Sequence, residues 1–190
     1  KLKLNVTGEY RDMYLYMSGQ KLDDQKKFLI QSLNFKQPSF LEIKHSSDKE
    51  GLKEMDIDLE FDKFYDVASG DKQFYKARLF DIWQFTIPVL EKRKNDYYFD
   101  HPMKKTGITT IDLPEGFTVE SMPVNANLKF SYGSYEITYT YDTAKNQITT
   151  QANFNLTNHI IPAAKYAEMQ VWMDNIAKSN SKKLVIKKKA

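Results

Sequence analysis

Four carboxylates alternate along one short stretch: Glu54, Asp56, Asp58 and Glu60 in "LKEMDIDLEF", residues 52–61. Alternate side chains of a strand share a face. Such a row could offer oxygens to Ca²⁺ or supply a paired acid and base. Spacing argues against both, because same-face neighbours stand about 6.5–7 Å apart along a strand. A calcium loop also draws on Gly and Asn, which this stretch lacks. With Met55, Ile57, Leu59 and Phe61 between them, the acids read as the wet face of a strand whose other face is dry.

Other chemistry-bearing residues are scattered. His45, His101 and His159 fall in unrelated segments, with no HxH or HExxH spacing, and read as loop histidines. No Ser stands in GxSxG, and neither GxGxxG nor GxxxxGK[ST] occurs, so a nucleophile elbow and a glycine phosphate cradle are unsupported. The chain has no Cys, which excludes disulfides, a thiolate nucleophile and thiolate metal sites. The reading is therefore no catalytic residue, no cofactor and no metal. Asn5 and Asn155 head NxT triplets, which matter only in a glycosylating secretory pathway. Aromatic residues remain: Trp83, Phe85, Tyr97, Tyr98 and Phe99 cluster mid-chain. Such rings can stack on sugars or grip a peptide, or they can fill a core. Trp83, Phe85, Tyr97 and Tyr98 are the expected docking surface.

The elements that must position these residues are mostly strands. The 190 residues suit one domain or two small lobes, and 41% hydrophobic against 28% charged is a globular balance. Twelve Tyr and twelve Phe against seven Gly favour pleated, half-buried surfaces. Net charge is +3, but Lys178, Lys182, Lys183, Lys187, Lys188 and Lys189 crowd the last fifteen residues without an acid. The rest is then slightly acidic, which excludes a broad nucleic-acid surface. These lysines bracket Leu184-Val185-Ile186, predicted as an edge strand guarded by charge. No apolar run approaches the roughly 20 residues that span a bilayer. The opening "KLKLNVTGEY" lacks an initiator Met and reads as part of a longer protein.

Alternation over 2–17 predicts one or two strands, with Tyr10, Tyr14 and Tyr16 among them. Asp23 or Asp24 is expected to cap a helix carrying Leu22, Phe28, Leu29 and Leu33. Residues 40–44 follow as a strand, 45–51 as a polar turn, 52–61 as a strand and 68–71 as a turn. "EKRKND" (91–96) is the expected internal boundary. Strands at 107–113, 128–133, 134–142 and 147–156 form an antiparallel meander, with Asn146 able to take φ > 0 in the turn between the last two. "IDLPEGFTVESMP" (111–123) is a structural corner, where Pro114 and Gly116 suit a turn. Residues 160–179 change to helical spacing: Pro162 suits a helix start, and Tyr166, Met169, Trp172, Met173 and Ile176 recur at three- and four-residue steps. A strand at 183–188 closes the chain. The expected fold is α+β, predominantly antiparallel and sandwich-like, with two helices packed on the sheet. It divides into a β-rich joining lobe (1–95) and a meander lobe (96–190), or forms one continuous domain.

"YYFDHPMKKTGITTIDLPEGFTVESMP", "GSYEITYTYD", "ITTQANFNL", "IIPAAKYAEMQVWMDNIAKS" and "KKLVIKK" also follow one another in a family's order. The run resembles the C-terminal, DUF3858-type region of large bacterial transglutaminase-like proteins, chiefly of Bacteroidetes. In these a DUF3857-type domain precedes a papain-like core. Residues 97–188 carry the likeness and the first 95 match more loosely. The resemblance implies an exported parent in the periplasm or cell envelope, whose Cys-His-Asp triad lies in the preceding core. A non-catalytic accessory domain packed beside that core is the implied role. The alternative is an independent glycan- or peptide-binding module of the envelope.

Overall fold

The computed structural model describes residues 2–33, 36–49, 51–80, 82–83, 87–90 and 93–189. The chain divides into two compact units, Lys1–Phe64 and Tyr65–Ala190.

In the first unit, β1 (Leu2–Asn5), α1 (Glu9–Ser18), α2 (Leu22–Leu33), β2 (Phe40–Asp48) and β3 (Gly51–Glu60) follow in order, and β3 lies between β1 and β2 in an antiparallel sheet. Met55 and Ile57 of β3 are buried, as are Tyr14 and Met17 of α1 and Leu29 of α2. The strand expected over 2–17 is thus confined to β1, and a helix takes over at Glu9. "YRDMYLYMS" satisfies both periods. The helical one prevails because Tyr14 and Met17, three residues apart, can both be buried, and Tyr14 meets Phe28 edge-on at 6.0 Å. Asp23 and Asp24 sit inside the first turn of α2, where they complement its dipole rather than cap it; Lys21 supplies the carbonyl that opens the helix. The expected turn over 45–51 is mostly strand: β2 continues to Asp48, opposite Gly51, with a register shift after Ser46.

That extension places His45 in a strand. Buried Gln25 donates its Nε2 to the Ser18 and Gln20 carbonyls at 3.1 and 2.8 Å. Its Oε1 is left to accept from His45 Nε2 at 3.0 Å, which selects the tautomer protonated at Nε2. Partial desolvation holds the His45 pKa below the ordinary histidine value. A folded pKa below the unfolded one means that the unfolded state binds more protons. The stability linked to His45 is therefore full above the unfolded pKa and falls as pH drops toward the folded one. Urea melts of the first unit at pH 7.5 and 5.5 should show lower stability in acid, with the difference reduced in His45→Gln. An equal pH response in both proteins would refute the linkage.

In the second unit β4 (Val67–Ser69), β5 (Lys72–Lys76), β6 (Tyr97–Tyr98), β7 (Met103–Asp112), β8 (Phe117–Ser121), β9 (Ala126–Phe130), β10 (Gly133–Asp142), β11 (Gln147–Leu156), β12 (Ile160–Ile161), α3 (Tyr166–Asn180) and β13 (Lys183–Lys188) build three sheets. The meander sheet runs β7-β11-β10-β9, a second runs β4-β5-β13-β8, and β6 pairs with β12. All pairings are antiparallel. The α+β, mainly antiparallel class expected from the sequence is thus observed, with a third helix. Asn146 takes φ 52° in the β10–β11 turn. Its Oδ1 accepts from Tyr141 Oη at 2.8 Å, and its Nδ2 donates to the Phe117 carbonyl at 3.2 Å. That second bond ties the turn to the 114–117 corner. There Phe117 N donates to the Pro114 carbonyl at 3.1 Å and Gly116 takes φ 77°, so the chain turns out of the meander sheet and into the second.

β13 is not the edge strand expected. It pairs with β5 on one side and β8 on the other, and Leu184 and Ile186 are fully buried. Its lysines answer acids: Lys183 pairs with Asp66, and Lys187 lies 3.8 Å from Asp71. The β5–β13 pairing lies within the unit that begins at Tyr65 and contains the meander.

Candidate functional site

The carboxylate row lies on the central strand of the first sheet. Register sets Asp56 opposite Lys3 on one side and Lys44 on the other. Lys3 Nζ is 3.1 Å from Glu54 and 3.7 Å from Asp56, and Lys44 Nζ is 3.1 Å from Glu42. Both ammonium groups are held above the ordinary lysine pKa, Lys3 mainly by its bond to Glu54 and Lys44 mainly by its bond to Glu42. The row is a solvated ladder of alternating charge across three strands. Among the described residues no group of three or more His, Asp or Glu is arranged to hold a metal ion.

The aromatic residues separate into two roles. Trp83 is 6% exposed, stacked on Phe154 at 4.7 Å with 13° between the rings and edge-on to Phe99 at 6.0 Å. It belongs to the core and presents no ring for docking. Phe85 lies outside the described residues. Tyr97 and Tyr98 pair with Ile161 and Ile160, and strand alternation sends the two rings to opposite sides. Tyr97 turns inward, 5.0 Å from Phe99 and 5.6 Å from Tyr166. Tyr98 is 63% exposed.

Pro88, Arg93, Asp96 and Tyr97 are fastened to the start of α3 by contacts with no signature in the sequence. The Arg93 guanidinium lies over Tyr97 at 5.0 Å and Tyr166 at 4.8 Å. Asp96 Oδ1 accepts from Ala163 N at 3.0 Å, beneath the 3₁₀ turn (Ala163–Lys165) that Pro162 introduces. The Pro88 carbonyl accepts from Tyr166 Oη and Gln170 Nε2, both at 2.7 Å. Burial pushes the Tyr166 phenol above its ordinary pKa, and Arg93 partly opposes the shift. "EKRKND", read as a boundary, thus supplies two of the fasteners. Three large apolar side chains are exposed here, Val89 at 85%, Leu90 and Tyr98, beside exposed Lys94 and Asn95.

Residues 72–186 match the family described as "Domain of Unknown Function with solved-structure structure (DUF3858)". A solved structure described as "a putative protease from Parabacteroides distasonis" is similar over 53% of this chain, with 15% identity and a TM-score of 0.45. The similarity spans 19% of that protein's length. The comparison with curated proteins found no match. No helix of the described residues is long and apolar enough to cross a membrane.

Proposed function

We propose that this chain, which belongs to the DUF3858 family, is a non-catalytic accessory domain of an exported bacterial transglutaminase-like protein, and that it packs beside the catalytic core of the same polypeptide. The observation that carries the reading is the exposure of three large apolar side chains, Val89, Leu90 and Tyr98. Exposed side chains of this kind are costly on a mobile loop and useful on a fixed one. Here Pro88, next to Val89, is held by Tyr166, and Arg93 and Asp96 also bind the start of α3, through Tyr166 or the turn before it. A partner docking there would bury large apolar groups without first having to order them. The family's Cys-His-Asp triad would lie in that partner.

The test is association between this chain and the segment encoded immediately upstream, each produced separately. Binding is expected, and Val89→Asp together with Tyr98→Ala should weaken it at least tenfold while leaving the far-UV spectrum unchanged. If the upstream segment lacks a Cys-His-Asp core, or if the two pieces do not associate at high micromolar concentration, the proposal fails.

A further inference from the structure

Among the described residues β9 is an edge strand, paired with β10 alone. In an antiparallel pair, successive residues turn their main-chain N–H and C=O alternately toward the partner and away from it. The outer side of β9 therefore carries a row of donors and acceptors that only another extended chain matches along its length. Beside β9 the structure leaves a groove of about 490 Å³, within the size range of ligand sites.

The far wall of the groove is α3. Ala167, Val171 and Asn175, at four-residue steps, form one stripe along it. Val171 is 61% exposed on a helix whose other large apolar side chains are buried. The charges of the groove are unevenly matched. Glu168 is occupied by Lys165 Nζ at 2.8 Å and by Ser131 N and Oγ, each at 2.9 Å. Lys129, on β9, has no ion-pair partner among the described residues. Trp172 is only 3% exposed, so its ring face is not open for stacking on a sugar.

We propose that this groove takes an extended acidic segment of a partner polypeptide, added as a strand beside β9, with a carboxylate against Lys129 and a small apolar side chain against Val171. Main-chain bonds along β9 supply affinity, and the alternating side-chain positions supply selectivity. The five residues of β9 fit a ligand core about 17 Å long. This goes beyond the accessory role. Association with a core traces to Val89 and Tyr98, and peptide capture traces to Val171 and Lys129, so either can fail alone.

The test uses the full chain as bait for a random nine-residue peptide library displayed on phage. Enriched sequences should alternate apolar with polar residues and carry Asp or Glu. A synthetic copy of the leading sequence should slow amide exchange in 126–130. Val171→Asp and Lys129→Glu, both at solvent-facing positions, should each weaken it at least tenfold, and replacing the peptide's acid by Lys should restore binding to Lys129→Glu. The proposal is overturned if nothing is enriched relative to the Val171→Asp chain, if protection falls outside β9, or if neither variant alters affinity. It is also overturned if sedimentation shows a dimer that Val171→Asp dissociates, because the groove would then hold a second copy.

Discussion

Replacing Trp172 by alanine is expected to remove about 3–5 kcal/mol from the stability of the second unit. The indole is 3% exposed and lies between two rings, 5.2 Å from Phe130 of β9 and 5.3 Å from Phe154 of β11, at interplanar angles of 27° and 26°. Its Nε1 donates to the Leu128 carbonyl at 3.2 Å. Phe154 carries the stack on to Trp83. One side chain thus joins helix, edge strand and inner strand, and alanine leaves a cavity that β pairing on either side prevents from closing. Domains are marginally stable, by about 5–15 kcal/mol in total, so the loss is a large share. Both tryptophans of the chain belong to the second unit, so Trp83 fluorescence in Trp172→Ala follows that unit alone. The urea midpoint should fall with little change in slope. A loss below about 1 kcal/mol, typical of surface positions, would mean that the stack is not part of the core.

That helix stripe was legible in the sequence because burial and periodicity are the same fact at Tyr166, Met169, Trp172, Met173 and Ile176: all five recur at helical steps and all five are buried. The meander was legible for a similar reason, since alternation and turn chemistry are local. Asn146 and Gly116 take the positive φ that their residue types permit. What was not legible depends on partners far along the chain. Nothing in "KKLVIKK" tells an edge strand from a central one; the answer lies in β5 and β8, and lysines at strand ends serve equally as guards or as partners of Asp66 and Asp71. The α1 segment failed for another reason, because Tyr14 fits both a period of two with Tyr16 and a period near 3.6 with Met17. At the docking surface, residue type marked Trp83 and Tyr98 alike. The rings that cover Trp83, Phe154 and Phe99, separate them. The β9 groove had no signature at all, since an unpaired edge is a property of the sheet order.

Gly133→Ala should destabilise the second unit by about 1–3 kcal/mol, although alanine is ordinarily the better residue in a strand. Gly133 opens β10 and pairs with Phe130 and Leu156. A Cβ there would stand 2.7 Å from Trp172 Cη2 and 2.9 Å from the Asn155 carbonyl oxygen. Neither neighbour can withdraw cheaply: the carbonyl belongs to the backbone of β11, and the indole is held between Phe130 and Phe154. The lower chain entropy of unfolded alanine returns about 0.4–1 kcal/mol, which is too little to offset that overlap. If the indole is one source of the clash, the shorter ring of Trp172→Phe should relieve part of it. The Gly133→Ala penalty should then shrink by about 1 kcal/mol in the Trp172→Phe background, with the remainder due to the Asn155 carbonyl. Additive losses in that double-mutant cycle would place the clash entirely on the backbone. A stabilised Gly133→Ala chain would show that helix and sheet do not approach this closely.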